Sequence, residues 1–166
     1  EIGLPNPAQA YLFGIIRDIG ILALLEVDHD NYQQVLLDAR ESGQPIWLTE
    51  LQTYDFHHGH IGGKLMQHWN FPEWISNAVE HHMEPESAKE QRPIVGIVGI
   101  AEMVTRRWEE TNEKPIVFPK NDESLDLYLS AVPQLKYHDM NQLVTKVEKQ
   151  VHNVEDILQY TENYLW

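Results

Sequence analysis

The sequence predicts an all-α protein, a multi-helix bundle, and three observations carry that prediction. Apolar residues recur at helical spacing through most of the chain, and few segments alternate as strands do. Pro and Gly stand where the helical patterns begin and stop. The composition, 42% hydrophobic with five Trp and seven Tyr in 166 residues, suits one domain with a buried core and is too rich in aromatics for a disordered chain.

Asn6 caps a first helix with Pro7 at its first position. The stretch Ala8 to Leu25 is apolar nearly all round, the mark of a helix buried on every side. Val35, Leu36 and Ala39 predict a second helix over about Asp30 to Glu41, stopped at Gly43. Pro45 starts a third, Ile46 to Thr53. A His-rich turn leads into a fourth, from about His58 to His68. Trp74, Ile75, Ala78 and Val79 give a short amphipathic helix after Phe71-Pro72, ending near His82. Glu84 to Glu90 reads as a polar loop. Pro93 opens a longer helix, Ile94 to Glu110, whose Gly96 and Gly99 cost helix stability and so point to close helix packing. A loop over Thr111 to Lys120 contains Pro115 and Pro119. Asp122 to Ala131 is helical and stops before Pro133.

Asp139 caps a last, long amphipathic helix. Met140, Val144, Val147, Val151, Val154, Leu158, Thr161 and Leu165 alternate steps of four and three, an a/d seam. The seam serves either packing on the chain's own bundle or a homodimer. The expected division is a helical core over residues 1–133 and a helical extension over 134–166. The opening, Glu1-Ile2-Gly3-Leu4 running into Pro5-Asn6-Pro7, has the look of mid-protein sequence, with further helices expected before residue 1.

The net charge of −14 argues against duplex nucleic acid, whose backbone needs clustered Lys and Arg. No run approaches the ~18 apolar residues of a membrane span, and nothing at the start reads as a signal peptide; a cytoplasmic location is the default expectation. The chain has no Cys, so any metal must be held by His, Asp, Glu or water.

Four features bear on chemistry. Arg17-Asp18 interrupts an apolar helix, where a charged pair is costly unless partnered. It is either an ion pair ordering the packing or part of a site. His57, His58 and His60 fall within four residues and supply imidazole nitrogens to a metal, or form a solvated cluster. Glu80-His81-His82 ends a helix, where the dipole favours cations. Glu102 is an acid in an apolar helix. Singly these are weak. Together they are the ingredients of an oxygen- and nitrogen-ligand metal site inside a helical bundle.

The same residues resemble the HD superfamily, and the HDOD branch most closely. Ala10 to Gly20 is similar to that family's "AFLAGLLHDIG" helix. Glu50 stands eight residues before His58, and His58-Gly59-His60-Ile61-Gly62-Gly63 resembles the family's "HAEVGA" run. His68-Trp69-Asn70-Phe71-Pro72, Ala78-Val79-Glu80-His81-His82 and Ile97 to Val104 match later elements, so the resemblance covers about Ala8 to Arg107. It implies Asp18, His58, His82 and Glu102 as metal ligands, for Mn, Fe, Ni or Mg. Two positions depart from the pattern. Arg17 stands where the His of the HD pair belongs, and a guanidinium has no lone pair for a metal. Glu102 replaces an Asp.

The resemblance therefore implies a non-catalytic bacterial signalling module. It would act through a signalling protein partner, an upstream receiver-type domain or a small anionic ligand, with Arg17 and Glu50 as the anion-site candidates. The rival expectation is a metal-dependent phosphohydrolase or phosphodiesterase acting on a nucleotide, with His57 or His60 carrying protons. In a third, His57, His58, His60 and His82 hold a purely structural ion.

Overall fold

A computed structural model describes residues 6–111, 118, 122–135 and 140–147. Among them every regular element is helical. Asn6 accepts a hydrogen bond from the Ala8 amide at 2.9 Å and, with Pro7 behind it, starts α1 (Pro7–Ile16). There follow α2 (Ile19–Val27), α3 (His29–Ser42), α4 (Ile46–Tyr54), α5 (His58–His68) and α6 (Glu73–Glu80). A 3-10 segment (Pro85–Gln91) leads into α7 (Arg92–Thr111), then α8 (Glu123–Ala131) and a 3-10 turn (Pro133–Leu135). Residues 140–147 are helical.

The expected single helix from Ala8 to Leu25 is two. The chain bends at Arg17-Asp18, where Asp18 leaves helical geometry at φ −94° and ψ 14°. The cause is tertiary, because both side chains are held by partners on other elements, described below. Nor is this stretch buried on all sides. Phe13, Gly20 and Leu24 face inward, while Tyr11, Ile15, Leu22 and Val27 are largely exposed. The expected polar loop after α6 is instead the 3-10 segment, kinked at Lys89, which sits at φ 49°.

The remaining boundaries follow local chemistry. Gly43 stops α3 in the left-handed conformation at φ 68° that only glycine adopts without strain. Asp122 caps α8 by accepting from the Leu125 amide at 3.0 Å.

Three clusters make the core. Phe13, Met66, Val79 and Val95 join α1, α5, α6 and α7; each such burial is worth roughly 1.5–3 kcal/mol before entropy is counted. Leu24, Tyr32 and Val35 join α2 and α3, with Ile46 and Tyr54 of α4 against them. Met103, Phe118, Leu125, Tyr128 and Val144 join α7, α8 and the helix at 140–147. Gly99 explains the close approach of α7 to α8, since a Cβ there would lie 2.2 Å from the Tyr128 ring. In the last helix Met140 and Val144 pack inward while Val147 is exposed; the seam beyond it lies outside the described residues, as does most of the loop with Pro115 and Pro119. Among the described residues no helix is long and apolar enough to cross a membrane.

Candidate metal centre

The site forms where α2, α5 and the end of α6 meet. Gly20 permits the meeting. A Cβ at that position would fall 1.9 Å from the His58 carbonyl oxygen, so any side chain would push α2 off the start of α5. Asp18, at the head of α2, makes no capping hydrogen bond with its side chain. Its carboxylate instead faces the two imidazoles, Oδ1 lying 3.6 Å from His58 Nε2 and 3.4 Å from His82 Nε2. The two Nε2 atoms are 3.1 Å apart.

What stands behind each imidazole fixes which nitrogen points inward. Glu50 of α4 is fully buried and accepts from the His58 backbone amide at 2.9 Å, from His58 Nδ1 at 2.7 Å and from the Tyr32 hydroxyl. His82 Nδ1 donates to the Val79 carbonyl at 2.7 Å. With both Nδ1 atoms engaged as donors, both Nε2 atoms offer lone pairs to one point, the carboxylate-backed arrangement that orients metal-binding histidines.

Three acceptors converging without a donor repel, so either a proton or a cation must lie among them. Burial alone would lower the His58 pKa, but contacts with Asp18 and Glu50 outweigh it and hold the ring up at about 9. For Asp18, burial would raise the carboxyl, yet His58, His82 and Arg17 together hold it far below the usual carboxylate range. Glu50 shows the same balance: burial opposes its charge, and the bonds from His58 and Tyr32 keep it ionised.

The donor set fits a divalent ion. Bonds of ~2.1 Å put donors ~3.0 Å apart at right angles and ~3.4 Å apart in a tetrahedron. The three donor atoms here are separated by 3.1, 3.4 and 3.6 Å. Two histidines and one carboxylate leave open positions on the ion, a set used by several transition metals.

Arg17 borders this cluster on the other side of Asp18. Its guanidinium reaches Asp18 Oδ2 at 3.0 Å and hydrogen-bonds Glu102 of α7. Although burial opposes its charge, these two carboxylates raise its pKa above the ordinary arginine value. Glu102 is thus held by Arg17 and not by the imidazoles, and the group of potential metal ligands among the described residues is Asp18, His58 and His82. Glu50 stands behind His58.

His57 and His60 do a different job. His57 caps α5, its Nδ1 accepting from the Gly59 amide at 3.1 Å, while His60 Nδ1 accepts from the His57 amide at 3.3 Å. The rings stack with centroids 3.8 Å apart. Burial and the neighbouring histidines push the His57 pKa down to about 4, so it is neutral at physiological pH. Neither belongs to the converging donor group.

Sequence reasoning missed Tyr32, the Val79 carbonyl and Tyr128, whose hydroxyl lies 3.5 Å from the His82 carbonyl oxygen. Tyr32 carried one signal: it shares the inward face of α3 with Val35 and Ala39, where a phenol needs a buried partner.

The HDOD domain family model matches residues 1–85, about half of the chain, and the chain belongs to that family. An uncharacterized protein of Treponema pallidum (strain Nichols) is 26% identical over 100 residues, 60% of this chain and 20% of its own length. A solved structure described as a "Putative phosphohydrolase", from Shewanella amazonensis SB2B, superposes with a TM-score of 0.63 over 86% of this chain and 50% of that one. At 21% identity the likeness is one of fold: an all-α, HD-phosphohydrolase-like architecture. The chain therefore spans half the length of one relative and a fifth of the other.

Proposed function

We propose that this HDOD chain is a non-catalytic regulatory module of bacterial signalling, its Asp18–His58–His82 cluster retaining the donors for a single divalent ion. One observation carries the reading: Arg17, which the family resemblance would align with the histidine of an HD pair, is clamped to both Asp18 and Glu102.

In a hydrolytic site a divalent ion acidifies a bound water and polarises the phosphoryl group. In this chain the residues around the cluster work against assembling such a centre. Arg17 brings a fixed positive charge to the edge of the cation site and keeps Glu102 from the ligand set. His57 and His60, the candidates for moving a proton, are spent on capping α5. What remains is a three-donor site that suits an ion tying α2, α5 and α6 together. A cytoplasmic module of this kind would pass its signal to a protein partner or to an adjoining receiver-type domain, with the acidic surface and the last helix available for contact.

A phosphohydrolase is the second reading, favoured by the convergent donors and the fold shared with the Shewanella protein. The two separate in one assay. The chain loaded with Mn²⁺ is incubated with bis(p-nitrophenyl) phosphate and with a cyclic dinucleotide, beside Mn²⁺ alone. The regulatory reading expects the rate of the metal alone. Multiple turnovers that vanish in Asp18→Asn establish the enzyme instead.

A further inference from the structure

A cleft bounded by α3, α4, α7 and α8 has a chemistry that runs against the character of the chain. The protein carries 12 Lys and Arg against 26 Asp and Glu. Yet Arg40, Arg106 and Arg107, three of the five arginines in the sequence, line one cleft of about 520 Å³ between the end of α3, the turn into α4, and the facing surfaces of α7 and α8. We infer that this cleft is a binding site for a diphosphate-bearing small molecule, a nucleoside diphosphate being the type that fits.

The arginines differ in what already holds them. Arg107 is fixed, bonded to Asp122 at 3.2 Å with its guanidinium 5.4 Å from the centre of the Phe118 ring. Asp122, the acid in the cleft, is thereby neutralised, and it also caps α8. Arg40 and Arg106 are exposed, and among the described residues neither has an ion-pair partner. The dipole at the end of α3 accounts for a cation at Arg40; it does not account for Arg106, which projects from α7 (Arg92–Thr111), before its last turn, into the same space.

Two unpaired guanidiniums beside a paired one, in a chain of net charge −14, concentrate positive charge where the rest of the surface repels anions. Planar guanidinium forks match phosphate oxygens two at a time. The first turn of α4 opens on the cleft at Pro45 with no side chain capping its amides, adding donors of the kind that receive phosphate.

Size and wall composition narrow the ligand. A single phosphate would leave most of the cleft unfilled, whereas cofactor-sized ligands occupy ~300–1,000 Å³. Met103, Ala39 and Pro45 give the cleft an apolar wall for a base or sugar, with Ser124 as a hydroxyl partner. Arg106 also lines the neighbouring cleft beside Arg17 and Glu102, one helical turn from the clamp on the metal site. A ligand here would give the regulatory reading a signal, but binding does not depend on that reading.

The test is isothermal titration calorimetry on the whole chain at low salt in EDTA, which separates this cleft from the metal cluster. Pyrophosphate and ADP are the probes. Saturable one-to-one binding is expected, at least tenfold weaker in Arg40→Gln and in Arg106→Gln and undetectable in the double variant. Arg92→Gln, a surface arginine 4.0 Å from Glu86, should bind as the parent does. Should a glutamine variant melt early, Arg40→Lys and Arg106→Lys keep the charge and should bind at intermediate strength, because the fork is lost. ADP binding more tightly than pyrophosphate would identify a nucleotide; equal affinity would make the diphosphate the whole determinant. No heat with either probe, an equal loss in Arg92→Gln, or undiminished affinity in the double variant overturns the assignment.

Discussion

Replacing Glu50 by glutamine changes one atom and should unsettle the whole centre. Glu50 is fully buried, and its two oxygens satisfy three donors: the Tyr32 hydroxyl, the His58 amide and His58 Nδ1. Glutamine keeps the shape but has one acceptor oxygen, and its NH2 must turn toward a group that is itself donating. At least one buried donor is left without a partner, at ~1–3 kcal/mol. The protonated His58 also loses its closest counter-charge, and breaking a buried ion pair from one side costs roughly 3–5 kcal/mol. These overlap, so the expected loss is about 3–5 kcal/mol, a large part of the ~5–15 kcal/mol of a typical domain. Urea unfolding of parent and Glu50→Gln in EDTA at pH 6.5, followed by circular dichroism, measures it. A loss below ~1 kcal/mol would mean instead that Glu50 is neutral or solvated.

Other predictions follow from the same contacts. The His58 pKa is raised from its ordinary value of 6.5 to about 9, so its contribution is full below about pH 6.5 and lost as pH rises through about 9. It amounts to on the order of 3 kcal/mol, and the metal-free chain should lose it between these limits in urea melts, with a flat profile in His58→Gln. Gly20→Ala should prevent α2 from seating on α5, read as a melting temperature lower by ten degrees or more or as insoluble protein; an unchanged melt would place α2 elsewhere. Asp122→Ala removes both the α8 cap and the partner of Arg107, and should cost about 1–2 kcal/mol by urea titration. Arg17→His should strengthen Mn²⁺ binding by an order of magnitude or more, measured by equilibrium dialysis, because it removes a cation and adds a lone pair.

Helices whose limits are set by local chemistry were legible in the sequence. Pro7, Gly43, Pro45 and Pro133 mark boundaries that the fold keeps, and Gly99 packs against Tyr128 as a glycine in a helix suggests. The break at Arg17-Asp18 was not legible, because apolar periodicity runs straight through it and the partners that bend the chain lie 40 and more residues away on α5, α6 and α7. Unbroken hydrophobicity likewise concealed that Leu22 and Val27 are exposed. In the site, residue types marked out the His and acid clusters and the family resemblance implied Asp18, His58, His82 and Glu102 as ligands, but geometry alone separates the first three from Glu102, held by Arg17, and from His57 and His60, held by the cap. The role of Tyr32 depends on a contact 18 residues away, which no local pattern encodes.

With Arg17 paired to Asp18 and Glu102, the donors of Asp18, His58 and His82 suit one ion. Equilibrium dialysis against Mn²⁺, with the bound metal counted per chain, tests it most directly. One ion per chain is expected, lost in Asp18→Asn and in His82→Gln and retained in Glu102→Gln. Two ions in the parent chain, or none at millimolar Mn²⁺, would contradict it.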